Sequence, residues 1–254
     1  MRTLAQLLDR LPLGEGDAAP PQRPDAGTAL LEGLASGLPL GHLHLWGGPA
    51  GAGKCGFLLA LLHAAARRGR GVCYATYDLP AETLASRLLA LVADVPVEDL
   101  PDPGGPPESG GLDAEGKARA RGARRHLAAL PFVVEEARGY SVPSLEDRLV
   151  RLPFRPAVCA VDYVQAVVRP TGQDLVGGVR DLARLATRHH VAVVGAFRAT
   201  TSAPAAERAA VEALARDVAP DRVGWLQPLD GGRREARVIA NRHGALADAI
   251  ALDD

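Results

Sequence analysis

Apolar and polar positions alternate along the chain in a way that predicts strands followed by helices, repeated several times. From residue 42, a short apolar run leads into a glycine-rich loop, and the segment after that loop has apolar residues at helical spacing. The same succession continues to about residue 196. Repeated strand and helix units form a mainly parallel sheet with helices on its faces. The predicted fold class is therefore α/β, with a twisted, mainly parallel sheet flanked by helices.

The residue patterns also predict the individual elements. The predicted strands are HLHLWGG, GVCYATY, FVVEEA, AVCAVDYVQAV, VAVVGAF, RVGWLQ and EARVIAN. The predicted helices are KCGFLLALLHAAARR, PAETLASRLLALV, residues 113–129, VPSLEDRLVRL and LVGGVRDLARLATRHH. Residues 101–112, PDPGGPPESGGL, are too rich in proline and glycine for regular structure, which predicts an exposed loop.

The first 27 residues are expected to stand apart from the main domain. Residues 1–12 contain a leucine stripe at helical spacing, formed by Leu4, Leu7, Leu8 and Leu11, which predicts a short amphipathic helix. Residues 13–27 are rich in proline and glycine and are expected to form a linker. Two interpretations of the helix stay open: it covers the core of its own chain, or it docks on a neighbouring subunit.

Composition and charge narrow the classes of function. The formal net charge of −1 excludes a broadly basic surface, so any contact with nucleic acid must come from local basic loops. The three cysteines have no spacing that would hold zinc, which favours a reducing, cytoplasmic compartment. The N-terminus carries charges and lacks the continuous apolar run of a signal peptide or membrane span, so no membrane association is expected.

The glycine-rich loop is the strongest candidate for chemistry. Residues 47–57 have the sequence GGPAGAGKCGF, between a predicted strand and a predicted helix, and the chain contains only two lysines, Lys54 and Lys117. In such a loop, backbone N–H groups surround phosphate oxygens and the lysine reaches the terminal phosphates. The predicted phosphate-binding residues are Gly48, Pro49, Ala50, Gly51, Ala52, Gly53, Lys54 and Cys55.

An acidic residue ends another predicted strand. Asp162 closes the apolar run AVCAVD. Enzymes with a phosphate-binding loop carry a carboxylate at such a position, where it holds magnesium through its water shell. Together with the loop, Asp162 predicts a site for a nucleotide and Mg2+.

Several segments, in the same order, resemble the C-terminal ATPase domain of DnaB-type replicative helicases, a branch of the RecA-like P-loop ATPases. They are SGLPLGHLHLWGGPAGAGKCGFLLALLHAAA, CYATYDLPAETLASRLLA, AVDYVQAV, VRDLARLATRHHVAVVGAF and IANRHGALADAIAL. The resemblance implies that residues 28–254 form one ATPase domain, that Asp162 and Gln165 belong to its second nucleotide motif, and that subunits assemble as a homo-oligomer. In this family the assembly is usually a ring, often hexameric, with ATP between subunits.

The departures from the family pattern fall on catalytic positions. Cys55 replaces the hydroxyl that holds magnesium, and a thiol is a soft, poor ligand for that ion. Asp78 stands where the family has the glutamate that orients water, and Arg198 replaces a phosphate-sensing glutamine. Arg198 is either a charge supplied in cis or a solvated loop arginine. Arg242, which would reach a neighbour's ATP, is kept, whereas Ala240 replaces a lysine.

These departures lead to two hypotheses of function. The first is a nucleotide-binding component with slow or lost hydrolysis, acting through protein partners; the second is an active translocase on single-stranded DNA. The loops that would face DNA, VVRPTGQD and RATTSAPAAERAAVEA, contain arginines but no aromatic residue for base stacking. The first hypothesis is therefore favoured.

Overall fold

A single mixed sheet forms the centre of the protein. The computed structural model describes residues 1–19, 33–35, 37–106, 109–197, 209, 212–214, 216–218, 220–228, 234–241 and 250–252. Over these residues the sheet has nine strands. The strands are β1 (Arg2–Thr3), β2 (Leu43–Gly47), β3 (Val72–Thr76), β4 (Phe132–Glu136), β5 (Val158–Asp162), β6 (Ala192–Ala196), β7 (Arg222–Pro228), β8 (Arg234–Asn241) and β9 (Ile250–Leu252).

The strand order is β1-β4-β3-β5-β6-β2-β7-β8-β9. The six strands from β4 to β7 are parallel, while β1, β8 and β9 pair antiparallel at the two edges. Each parallel strand other than β7 is buried along most of its length, which explains why these segments are almost continuously apolar in sequence. The predicted α/β fold class is confirmed.

Helices cover both faces of the sheet. Among the described residues, the α-helices with continuous bounds are α1 (Leu4–Leu8), α2 (Lys54–Arg67), α3 (Ala81–Ala93), α4 (Ala114–Ala128), α5 (Val142–Leu149) and α6 (Leu175–His189). The first four helices share one apolar core with the sheet, and the last two share the other. Side chains alternate between these cores along a strand, so that Cys73 and Ala75 lie on one face and Tyr74 on the other.

The topology brings the candidate site residues to one edge of the sheet. Because β2, β3 and β5 run parallel, their carboxyl ends meet at that edge, and the glycine-rich loop follows Gly47 there. Thr76 at the end of β3 is in register with Asp162 at the end of β5. In open α/β sheets, ligands bind outside the carboxyl ends of the strands, at the point where the strand order reverses direction.

The N-terminal helix packs on its own chain. The helix α1 is capped by Thr3, which accepts a hydrogen bond from the Gln6 amide, and it ends at Leu8, before the predicted boundary. Its leucines are buried against α3 and α4, and β1 extends the sheet beside β4. The interpretation that the leucine stripe docks on a neighbouring subunit is therefore wrong for this structure: burial of the stripe in its own core leaves it no apolar face.

The residues after α1 lie along α4. Arg121 donates to the carbonyls of Leu13 and Asp17, and the Ala19 amide donates to the Ala118 carbonyl. A Cβ atom at Gly122 would lie 1.5 Å from the Ala19 carbonyl oxygen, so only glycine allows this approach. Residues 13–19 of the predicted linker contain no helix or strand.

Candidate functional site

The glycine-rich loop joins β2 to α2. Gly53 begins α2 with a left-handed backbone, φ 76°, and provides no side chain to cap the first turn. At the other end of the loop, a Cβ atom on Gly48 would lie 2.5 Å from the Leu226 carbonyl oxygen on β7. Glycine is thus required at both ends, by backbone conformation at one and by close packing at the other. The N-cap residue of α2 therefore supplies no side-chain acceptor to the first turn.

Lys54 is folded into this loop. Its Nζ atom donates to the carbonyl oxygens of Gly48, at 2.6 Å, and Pro49, at 2.7 Å. The side chain is only 8% exposed. A buried ammonium group needs such partners, because burial without them costs several kcal/mol. The loop therefore holds its one cation at the start of α2, beside the amides of the first turn.

Tyr74 connects Asp162 with Cys55. The Tyr74 hydroxyl lies 2.7 Å from Asp162 Oδ2 and 3.6 Å from Cys55 Sγ. Asp162 is 4% exposed, and its other carboxylate oxygen, Oδ1, is buried and has no hydrogen-bond partner among the described residues. The tyrosine itself is fully buried. Residues from three elements, β3, β5 and α2, are thereby joined by side-chain hydrogen bonds.

Burial dominates the protonation of this cluster. Burial raises the pKa of Asp162. The hydrogen bond from Tyr74 and the charge of Lys54 lower this pKa, but their effect is smaller than that of burial. Burial and the Asp162 carboxylate also raise the pKa of the Cys55 thiol and of the Tyr74 hydroxyl. Cys55 and Tyr74 consequently remain a thiol and a phenol at neutral pH.

Sequence reasoning missed two residues of the site. Tyr74 could have been recognised as a single hydroxyl in an otherwise apolar strand, because a buried tyrosine hydroxyl usually needs a partner. Arg87 is an exposed residue on α3, and its charge lowers the pKa of both Cys55 and Asp162. No spacing in the sequence indicates that the side chain of Arg87 reaches this edge of the sheet.

The other predicted residues lie at varying distances from the loop. Asp78 is exposed just beyond β3, and its charge raises the pKa of Asp162. Gln165 is half-buried in a short turn of 3-10 helix after β5. Arg198 and Arg242 lie outside the described residues, so their predicted roles stay predictions. Ala240 lies on β8, beside Val223 of β7.

A second cleft lies away from the loop. A cleft lined by His42, His44 and Asp221 lies at the amino ends of β2 and β7, at the opposite edge of the sheet from the loop. Among the described residues, no group of three or more histidine, cysteine, aspartate or glutamate side chains could hold a metal ion. Within the same residues, no helix is long and apolar enough to cross a membrane.

Solved structures share this fold. A DnaB-like replicative helicase, solved in a study of its structure and its interactions with primase, aligns with a TM-score of 0.73 and 12% identity, over 94% of this chain and 62% of that chain. An ATPase domain solved as a separate structure gives a TM-score of 0.72 and 13% identity, over 98% of this chain and 92% of that one. The RadB recombinase aligns with a TM-score of 0.51 and 16% identity, over 84% of this chain and 87% of that one. The predicted RecA-like fold is confirmed.

Sequence comparison supports the same relationship. This chain spans less than two thirds of the replicative helicase, and at these identities the structural likeness shows the fold alone. No curated protein sequence matches the chain significantly. A model of the DnaB-like helicase C-terminal domain matches residues 25–197, more than half of the chain. The protein therefore belongs to the family of DnaB-like helicase C-terminal domains.

Proposed function

We propose that the protein binds ATP through residues 48–55 and hydrolyses it slowly or not at all, acting as an oligomeric, nucleotide-dependent component that controls or supports a protein partner. The alternative is an active translocase on single-stranded DNA. The observation that carries the proposal is the loop itself: Lys54 Nζ donates to the Gly48 and Pro49 carbonyls, and Gly53 begins α2 without a side-chain cap.

The loop has the features that a triphosphate needs. The N-cap residue of α2 provides no side-chain cap, and the amides and aligned peptide dipoles of a helix N-terminus favour an anion. Side chains of Thr3, Asp113, Ser141 and Asp174 cap the helices α1, α4, α5 and α6. The N-cap residue of α3, Pro80, provides no side-chain cap either, but there the Ala81 amide donates to the Glu136 carboxylate. The Lys54 ammonium, which now donates to two loop carbonyls, supplies a positive charge within reach of bound phosphates. These features support binding of the ATP phosphates.

Magnesium fits the same site poorly. This ion prefers an octahedron of hard oxygen ligands. The Cys55 thiol is soft, and Asp162 Oδ2 already accepts a hydrogen bond from Tyr74. Asp162 Oδ1 has no hydrogen-bond partner among the described residues. We therefore propose that Mg2+ is held loosely, by Asp162 through water, and that Cys55 contributes little as a ligand.

Weak metal binding is consistent with slow hydrolysis. In phosphoryl transfer, catalysis is mostly positioning and charge stabilisation, so poor ligands impair turnover more than affinity. Asp78, the candidate for orienting water, has one methylene fewer than a glutamate and is exposed. Arg198 and Arg242 remain proposed contributors of positive charge, Arg242 from a neighbouring subunit. Gln165 remains a proposed member of the nucleotide site.

The alternative function rests on the residues that the site retains. Lys54 and Asp162 are both present, which is the minimum for a P-loop ATPase. Binding of DNA has weaker support: the loop at residues 167–174 carries Arg169, which is exposed, but no aromatic side chain on which a base could stack. One structural relative was solved in a study of its interactions with primase, and an analogous protein partner is part of our proposal.

Comparison of the two lysines tests the proposal. Lys54→Ala removes the buried ammonium from the loop, whereas Lys117→Ala removes the other lysine of the chain, on α4, and serves as the matched control. We expect Lys54→Ala to weaken ATP binding roughly ten- to a hundredfold by calorimetry, because charge-assisted hydrogen bonds to phosphate are lost. Lys117→Ala should bind as the unaltered protein does. Equal affinity for all three would refute the assignment of the loop.

Steady-state hydrolysis, measured on the same samples with and without single-stranded DNA, separates the two functions. Turnover below about one per minute in both conditions would support a regulatory nucleotide. Stimulation by DNA to several turnovers per second, on the order of ordinary enzymes, would instead support the translocase.

A further inference from the structure

Tyr74 reaches the nucleotide site from the middle of β3. Thr76, two residues further along the strand, is in register with Asp162. Side chains two residues apart lie on the same face of a strand, separated by about 6.6 Å along it. A tyrosine side chain is long enough to span this distance along the strand. The ring can therefore lie in the core with α2 while the hydroxyl reaches the carboxyl edge of the sheet.

The Tyr74 hydroxyl has a single proton, and geometry decides where it goes. The distance of 2.7 Å to Asp162 Oδ2 is that of a normal O–H···O hydrogen bond, and an ionised acceptor strengthens it. The distance to Cys55 Sγ is longer, 3.6 Å. The phenol thus donates to the carboxylate, and its oxygen is free to accept the thiol proton. The result is a chain from Cys55 through Tyr74 to Asp162.

We infer that Tyr74 takes the place of a divalent cation between Cys55 and Asp162, so that the loop binds a nucleoside triphosphate without needing magnesium. This inference rests on the proposed function of the loop. A cation placed between these two residues would compete with the Tyr74 hydroxyl for Asp162 Oδ2 and would meet a thiol on its other side. Positive charge beside the triphosphate would come instead from Lys54 and from Arg87 on α3.

Two tyrosines of the same segment allow a matched experiment. Tyr74→Phe removes the hydroxyl and keeps the ring. Tyr77→Phe makes the same change on the opposite face of the sheet, where the Tyr77 hydroxyl is buried and has no hydrogen-bond partner among the described residues. Affinity for ATP is measured by calorimetry in EDTA and in excess magnesium, for the unaltered protein and both variants. Circular dichroism verifies that each variant is folded.

We expect magnesium to change the affinity of the unaltered protein and of Tyr77→Phe by less than about threefold. Tyr74→Phe should gain a magnesium dependence of about tenfold or more, because the hydroxyl that lies between Cys55 Sγ and Asp162 Oδ2 is removed and no longer competes with the ion. A tenfold dependence already present in the unaltered protein would overturn the inference and leave ATP binding intact. The inference would also be overturned, with ATP binding intact, if magnesium changed the ATP affinity of Tyr74→Phe no more than that of Tyr77→Phe.

Two further outcomes are distinguishable from these. Failure of the unaltered protein to bind ATP in either condition would overturn the proposed function, and this inference with it. If Tyr74→Phe does not fold, the comparison of EDTA with magnesium in the unaltered protein still decides: independence of magnesium supports the inference, and dependence overturns it.

Discussion

At the scale of single residues, the position after the loop lysine is the one where the proposed nucleotide site departs most from a hard metal ligand. A serine or threonine hydroxyl there would be a hard ligand, whereas Cys55 presents a thiol whose pKa is raised by burial and by Asp162. The thiol contacts the Tyr74 hydroxyl, which is bound to Asp162. The proposed phosphate contacts of the loop amides and Lys54 would not involve the side chain of this residue. Substitution at this position should accordingly affect hydrolysis more than affinity.

Cys55→Thr tests this separation. Threonine restores a hydroxyl at nearly the volume of cysteine, and we expect hydrolysis to rise about tenfold or more while ATP affinity changes by less than about threefold. Cys55→Val is the matched control, because valine has the shape of threonine without the hydroxyl. The proposal that Cys55 limits hydrolysis is wrong if the unaltered protein already hydrolyses several ATP per second, on the order of ordinary enzymes, and Cys55→Thr does not raise this rate. Cysteine would then serve only in packing.

At the scale of elements, a histidine pair joins the helix that begins at the loop to α4. His63 on α2 and His126 on α4 face each other with their Nε2 atoms 3.2 Å apart and their rings edge to face. Burial, His126 and Arg67 lower the pKa of His63 to about 3. Burial and Arg67 also lower the pKa of His126. Both rings are neutral at pH 7, and one donates to the other.

Acidification should therefore loosen the contact between α2 and α4. The folded pKa of His63 is about 3 and its ordinary value is 6.5, so its contribution to stability is complete above pH 6.5 and is lost as the pH falls towards 3. A depression of this size corresponds to at most roughly 4–5 kcal/mol of unfolding free energy. His63→Gln keeps a hydrogen-bonding group that does not titrate. Denaturant unfolding between about pH 7 and about pH 4.5 should show a flatter pH dependence for this variant.

The control for this measurement is His190→Asn, at an exposed position with a left-handed backbone that asparagine tolerates. It should retain the pH dependence of the unaltered protein. If His63→Gln loses stability on acidification as steeply as His190→Asn does, the histidine pair is not the group that titrates.

At the scale of the whole molecule, the N-terminal segment closes one side of its own chain. The strand β1 pairs with β4, α1 packs on α3 and α4, and Arg2 binds Glu82 of α3. The leucine stripe is therefore used within the chain. Any assembly of subunits must depend on other surfaces, and the family resemblance points to Arg242, which would reach a neighbour's nucleotide.

Light scattering tests assembly in the presence of nucleotide. We expect a mass above the 26.5 kDa of one chain at tens of micromolar protein with ATP and magnesium, and a lower mass for Arg242→Ala. Leu7→Ala is the control: it should lower the unfolding free energy by about 2–5 kcal/mol, because Leu7 is buried in its own core, without changing the mass. A strictly monomeric mass under these conditions would contradict the prediction of a homo-oligomer.

The sequence by itself determined the fold class, the order of the main elements and the loop. Apolar runs of five or so residues between amphipathic helices predict buried parallel strands, and the strands from β2 to β8 fall on the predicted segments. The glycine-rich sequence also predicts the loop. In the structure, Gly48 allows close packing against Leu226, and Gly53 adopts a left-handed backbone. The edge strands β1 and β9, of two and three residues, are too short to have a periodicity.

The tertiary structure alone decided which distant residues meet. Tyr74 and Asp162 are 88 positions apart and His63 and His126 are 63 apart, and no spacing in a single sequence connects them. The strand register brings Tyr74 to Asp162, and the packing of α2 and α4 on the same face of the sheet brings the histidines together. The sequence likewise left open where the leucine stripe packs, because an amphipathic face shows that a helix needs an apolar surface without showing which one. In the structure the leucines pack against α3 and α4, because the assembled core presents the apolar surface that they cover.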